Sequence, residues 1–133
     1  MGGQIVYDIV THFLPNLPDY KGLRIDFWCA SASQVGFFEE LKLFLESCEQ
    51  YSLAAGKLVP YPNRQHLGHW WNVWDHNDFV SYSVKGIIED VDDELYDTGL
   101  DIVWAHLGYL ALPSFFRKFG RKVQKALAPI PFP

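Results

Sequence analysis

The sequence predicts an α/β fold of about three mostly parallel strands with flanking helices. Three observations lead there. Residues 3–14, 37–49 and 113–126 carry helix patterns, while 22–29, 69–74 and 91–98 carry strand character. Helical and strand segments interleave along the chain instead of falling into separate blocks. The connections between successive strands are long enough for the crossovers that parallel pairing requires.

Each element has its own reason. In residues 3–14, Ile5, Ile9, Val10 and Phe13 form one helical stripe, and the run Pro15, Asn16, Leu17, Pro18 is expected to end it. Residues 22–29 (Gly-Leu-Arg-Ile-Asp-Phe-Trp-Cys) are rich in β-formers and lead into the small residues Ala30, Ser31, Ala32 and Ser33, which predicts a strand ending in a tight loop. Residues 37–49 place Phe38, Leu41, Leu45 and Cys48 at helical spacing among Glu39, Glu40, Lys42 and Glu46, the pattern of an amphipathic helix. From 50 to 68 the breakers Pro60, Pro62 and Asn63 predict mostly loop.

Residues 69–74 read as a strand running into a polar turn, Asp75, His76, Asn77 and Asp78. Residues 91–98 are an acid-loaded strand closed by Gly99. Pro113 suits the first turn of a last helix through 126, and the proline-rich residues 128–133 predict an extended tail. No internal repeat is present. A sheet this small leaves its first strand with an open edge, an aggregation hazard unless something covers it.

Hydrophobic residues at 49% and aromatics at 17% predict a buried core and exclude disorder. No apolar run reaches the roughly 18–20 residues that span a bilayer, and the tract from Leu100 to Leu112 is broken by Asp101 and His106. No secretory leader is expected, and Cys29 and Cys48, in no metal or redox spacing, predict free thiols of the kind kept in the cytoplasm. The net charge of −5 hides an asymmetry: the chain before Arg117 carries −10, and Arg117, Lys118, Arg121, Lys122 and Lys125 contribute +5. A basic cluster of this kind is expected to be the solvated face of a terminal helix in preference to a nucleic-acid or lipid site.

Three motifs bear on chemistry. The chain opens Met1-Gly2-Gly3 and continues into the first helix pattern. Trp71-Asn72-Val73-Trp74-Asp75-His76-Asn77-Asp78-Phe79-Val80 runs from a strand into an acidic loop. Ala105-His106-Leu107-Gly108-Tyr109-Leu110 sits after a strand-like segment and ahead of the last helix. In this order the three resemble the C-terminal half of an α/β-hydrolase-fold serine hydrolase of lipase or esterase type. Met-Gly-Gly resembles the second half of the Gly-x-Ser-x-Gly elbow, the acidic loop the carrier of the acid, and the last motif the histidine loop. The loop departs from the family pattern at Phe79, where proline is common.

The resemblance implies a single partial α/β-hydrolase domain over 1–133. Asp78 is then the acid, with Asp75 its competitor, and His106 the general base. The backbone N–H of Met1 would be an oxyanion donor, and the nucleophilic serine would stand just before Met1. The chemistry needs these types: imidazole titrates near neutrality, and a carboxylate fixes its tautomer and stabilises the imidazolium. On this reading the complete protein cleaves an ester or lipid-like acyl substrate without a cofactor, and this chain alone is inactive. The open strand edge would receive the missing N-terminal half or another chain. The alternative is a non-catalytic remnant or protein-binding module that docks a partner by β-addition.

Other candidates are weaker. His66, His69 and His76 share no face for a metal. Trp70, Trp71 and Trp74 suit packing better than an acyl pocket. Cys29, Ser31 and Ser33 lie at a strand's end, where α/β folds place ligands, but they lack an elbow motif. No phosphate-cradling loop, nucleic-acid motif or membrane span is expected.

Overall fold

A computed structural model describes residues 2–128. Three parallel strands, β1 (Ile25–Ser31), β2 (Leu67–Trp74) and β3 (Asp92–Leu95), form one sheet in the order β1-β2-β3. Helices cover both faces, so the fold is α/β. Period-two alternation sends Trp28, Ala30 and Trp70 to one face and Phe27, Cys29, Trp71 and Val73 to the other. On the first face Trp28 stacks on Trp70 at 4.5 Å, and α1 (Gly2–Asp8) brings Tyr7 to 5.9 Å from the Trp70 ring. On the second face α5 (Pro113–Leu127) seats Phe115 on Trp71 at 5.6 Å and Phe119 against Phe27 at 5.6 Å.

The first helix is longer than the proline rule predicts. After α1 the ladder widens into a π turn (Ile9–Phe13) and closes in α2 (Leu14–Asn16), so Pro15 lies inside the helical run. The Leu14 N–H reaches back five residues to the Ile9 carbonyl, and the next residue, Pro15, has no N–H to offer. Only at Leu17 does the backbone turn extended. The buried stripe is Gln4, Tyr7, Val10 and Leu14, whereas Ile5 and Phe13 are exposed. That corrects the expected stripe.

The second predicted helix is cut short. Helix α3 spans Val35–Glu40, and residues 41–49 are turns and irregular chain. Lys42 takes a left-handed φ of 56°, the Leu43 N–H bonds the Phe38 carbonyl, and the Lys42 N–H bonds the Glu39 carbonyl. This is a Schellman ending with lysine where glycine is usual. Side chains hold it: Glu39, fully buried, accepts from the Cys48 N–H at 2.6 Å, and the Lys42 ammonium bonds the Cys48 carbonyl. Leu41 and Leu45, placed on the apolar face by the helical pattern, are exposed, and Phe44 goes into the core instead.

Strand boundaries also shift. β1 starts at Ile25 and absorbs Ala30 and Ser31, which the small-residue run predicted as loop. β3 is four residues long, shorter than expected. Its acidic side chains explain the charge asymmetry. Asp92 and Glu94 point at α5, where Lys122 bonds Asp92 at 2.6 Å and Glu94 at 3.3 Å and Lys118 bonds Glu94, while Trp71 Nε1 donates to Glu94 at 3.0 Å. Part of the basic helix, the half-buried Lys118 and Lys122, therefore neutralises the acidic strand and is only partly solvated. Asp93 points the other way and accepts from Asn72 at 2.7 Å, Ser83 at 2.7 Å, Trp74 Nε1 at 3.1 Å and the Val84 N–H at 2.9 Å.

No helix among the described residues is long and apolar enough to cross a membrane. The predicted tail over 128–133 lies, apart from Ala128, outside the described residues.

Candidate active site

Ligand sites in parallel sheets gather beyond the C-terminal ends of the strands, where the loops converge. Here β2 ends at Trp74 and hands over to the loop carrying Asp75 and Asp78, and β3 ends at Leu95 ahead of the segment that leads to His106. The strand-like segment expected before His106 is instead a turn. Asp101 starts it, its carboxylate accepting from the Val103 and Trp104 N–H groups and its carbonyl from the Ala105 N–H. A short helix α4 (Ala105–Gly108) and a 3-10 turn (Tyr109–Ala111) follow.

Asp78 and His106, twenty-eight residues apart, meet. His106 Nδ1 lies 3.0 Å from Asp78 Oδ2 and 3.1 Å from Oδ1. The Asp78 side chain is 1% exposed and the imidazole 43% exposed. The carboxylate also accepts from the Val80 N–H at 3.2 Å and lies 3.5 Å from the Tyr109 hydroxyl. An acceptor on Nδ1 puts the proton there and leaves the Nε2 lone pair free for a proton transfer. Burial, opposed by a hydrogen bond with Ser81 and reinforced by the nearby Asp78 and Asp75, pushes the Tyr109 phenol upward, so Tyr109 stays protonated as a donor. Tyr109 is the site residue that sequence reasoning quoted only as an aromatic neighbour of the histidine. Its position three residues after His106, one helical turn on, is the signal that points to it.

Asp75, the rival acid, is engaged elsewhere. Its Oδ2 accepts from the Thr98 N–H at 2.8 Å and the Thr98 hydroxyl at 2.6 Å, and its Oδ1 accepts from the Asn77 N–H at 2.9 Å. Burial works to raise its carboxyl, but the bonds from Thr98 and Asn77 and the nearby His76 outweigh that and hold it below the ordinary carboxylate range.

His106 lines a cleft of about 490 Å³ with Gly2, Gly3 and Val6 at the start of α1, Trp28 to Ala32 at the end of β1, and Leu107, Tyr109 and Leu110. Beside it Ile102, Val103, Trp104, Leu107 and Leu110 are all more than half exposed, a run of apolar surface. Met1, expected as the oxyanion donor, lies outside the described residues.

The remaining candidates disperse. Cys29 and Ser31 line the cleft, but burial pushes the Cys29 thiol up to about 12, far from a ready nucleophile. Ser33 is buried and accepts from the Val35 N–H at 3.3 Å. His66 Nδ1 faces the Leu23 carbonyl at 3.1 Å, His69 bonds Asp92 at 3.2 Å, and His76 packs edge-on to Trp74. Among the described residues no three His, Cys, Asp or Glu side chains gather as a metal group. Trp70 and Trp71 are core residues. Comparisons of the chain with protein-family models, with curated proteins and with solved structures find no match.

Proposed function

We propose that this chain supplies the acid and the general base of an α/β-hydrolase-like serine hydrolase that cleaves ester or lipid-like acyl substrates. The observation that carries the reading is the buried Asp78 carboxylate on His106 Nδ1 at 3.0 Å, with the imidazole on the wall of a cleft that also borders the first residues of α1. In that mechanism a serine immediately ahead of Met1 attacks the acyl carbonyl and gives its proton to His106. The protonated imidazole then donates to the leaving group, and a water repeats the sequence to free the acid. Asp78 holds the Nδ1 proton throughout, and the Met1 N–H would help hold the oxyanion. The apolar surface from Ile102 to Leu110 supports an apolar acyl group in preference to a charged one.

The partner follows from the same reading. β1 pairs only with β2, and its other edge carries no strand among the described residues. Strands that precede the elbow would pair there and complete the sheet, with the same edge open to a protein partner if the chain is a binding module.

The test begins with the reading frame upstream of the Met1 codon. The expected result is Gly-x-Ser joined in frame to Met1, and an extended protein that an active-serine probe labels. In that protein His106→Ala abolishes turnover while leaving the fold intact, and Asp78→Asn lowers the rate by orders of magnitude while Asp75→Asn does so less. An upstream stop with no rejoining frame, or wild-type turnover in His106→Ala, overturns the proposal.

A further inference from the structure

The Asp78–His106 pair is made of two loops that do not follow one another in the chain. One leaves β2 and the other leaves β3, and nineteen residues, β3 among them, stand between Asp78 and Thr98. A contact at 3.0 Å between side chains on separate loops needs something that fixes the loops to each other. Three residues, Asn77, Ser81 and Thr98, bond Asp75 directly.

Asp75 is 2% exposed and spends Oδ2 on the far loop, while its Oδ1 and its backbone serve the near one, Oδ1 accepting from the Asn77 N–H at 2.9 Å. Toward the far loop, Oδ2 takes both the N–H and the hydroxyl of Thr98, at 2.8 and 2.6 Å. The Thr98 oxygen in turn accepts from the Leu100 N–H at 3.3 Å, and the Leu100 carbonyl accepts from Asn77 Nδ2 at 2.9 Å. Leu100 then packs into the space a side chain at residue 108 would fill: a Cβ on Gly108 would stand 2.3 Å from Leu100 Cδ1 and 3.6 Å from Thr98 Cβ. Gly108 is in the same helical turn as His106. Toward the near loop, the Asp75 N–H bonds Ser81 Oγ at 3.3 Å, and that hydroxyl donates to the Asp78 carbonyl at 3.1 Å. One residue therefore holds the backbone of Asp78 and, through Thr98 and Leu100, the turn of His106.

We infer that Asp75 is a positioning residue, clasping the loop after β3 to the loop after β2 through Thr98 and so setting His106 over Asp78. The inference rests on the reading of Asp78 and His106 as the acid and base. It gives the second aspartate of the acidic loop a task of its own, distinct from the acid's. A carboxylate suits the task because it accepts three bonds at once, each charge-assisted and stronger than a neutral one. Its depressed proton affinity agrees with a group that stays ionised while buried.

The experiment is NMR of the 133-residue chain with ¹⁵N-labelled histidine, read at the His106 ring: which nitrogen carries the proton, and how fast that proton exchanges with water. In the wild-type chain the Nδ1–H form is expected, with slowed exchange. Asp78→Asn tests the underlying reading and should speed exchange about tenfold or more, the loss of one hydrogen bond to a charged group. Thr98→Val and Asp75→Asn should each speed it by a similar order although neither touches the imidazole, and Thr98→Ser should restore the wild-type rate. Asn77→Ala, an exposed change that cuts only the bond to Leu100, should act in the same direction by less. If Asp75→Asn does not fold, Thr98→Val and Asn77→Ala decide the matter. Wild-type exchange in folded Thr98→Val and Asn77→Ala, beside fast exchange in Asp78→Asn, overturns the clasp and leaves the acid and base in place. Wild-type exchange in Asp78→Asn overturns the acid and base themselves.

Discussion

Gly68→Ala tests whether β1 and β2 meet as closely as their register requires. Gly68 lies between the paired positions Ile25↔Leu67 and Phe27↔His69. A Cβ there would stand 2.4 Å from the Asp26 carbonyl oxygen, 3.0 Å from the Asp26 carbonyl carbon and 3.1 Å from Arg24 Nη2. Ordinary contact begins near 3.4 Å, so the two backbones must part by about 1 Å. The obstacle is main chain held by paired residues on either side, so no rotamer change relieves it. Overpacking costs about 1–3 kcal/mol, and a backbone obstacle puts this one near ~2–3 kcal/mol. With an unfolding entropy of about 2.1 cal/mol/K per residue, 133 residues convert that to a Tm lower by about 7–11 °C.

The assay is thermal unfolding followed by circular dichroism, with Gly22→Ala as control. Nothing lies within 4 Å of the Cβ position at Gly22, and its effect should stay within about 0.5 kcal/mol, or ~2 °C. A Gly68→Ala chain that melts within ~2 °C of wild type refutes the close approach. The consequence reaches the site, because the β1–β2 pairing sets the distance between the cleft wall on β1 and the loop carrying Asp78.

Three further outcomes are expected. Phe115→Ala removes a 2%-exposed ring that packs on Trp71, Tyr96 and Tyr109, and should cost about 3–5 kcal/mol in urea unfolding; a cost below ~1 kcal/mol would remove α5 from the core. Burial raises Asp92 and Glu94, but their bonds to Lys118, Lys122, His69 and Trp71 outweigh it and hold both below their ordinary values, whereas Lys122, lowered by burial, is raised on balance by the same carboxylates. The clasp between β3 and α5 therefore contributes in full between roughly pH 4.5 and 10.5. It weakens as acid passes the depressed carboxylate values, and again as base passes the raised lysine value. Glu94→Gln should flatten the acid limb of a Tm-against-pH curve, and an unchanged limb would count against it. In a Cys48→Ser background, Cys29 should react with a disulfide reagent at pH 8 on the order of 100-fold slower in the native chain than in urea, because burial lifts its thiol to about 12. Equal rates would return Cys29 to the list of nucleophiles.

Much of the architecture is legible in local pattern. The interleaving of helix and strand segments and the crossover lengths specify a parallel α/β sheet, since period and chain length are properties of neighbours in sequence. Asp78 and His106 are legible as types in a plausible order. Their meeting is not, because no local rule measures the distance between two loops. The choice between Asp75 and Asp78 illustrates this: the two differ by three residues in one polar turn, and only the path of the loop after β3 brings Thr98 to one and His106 to the other.

The same reason explains the elements that differ from their patterns. The helical stripe after Phe37 stops at Glu40 because a buried Glu39 takes the Cys48 N–H and Lys42 turns left-handed, a long-range bond overriding a local period. Pro15 fails to end the first helix because the π turn ahead of it has already widened the ladder. The acidic run in β3 weakens it as a strand by propensity, yet it pairs because Lys118 and Lys122 on α5 neutralise it across the sheet. What this sequence determined by itself is the set of segments and the residues with chemical potential. Which of those residues touch was decided by tertiary packing, because desolvated charges and buried donors take their partners from wherever in the chain the fold brings them.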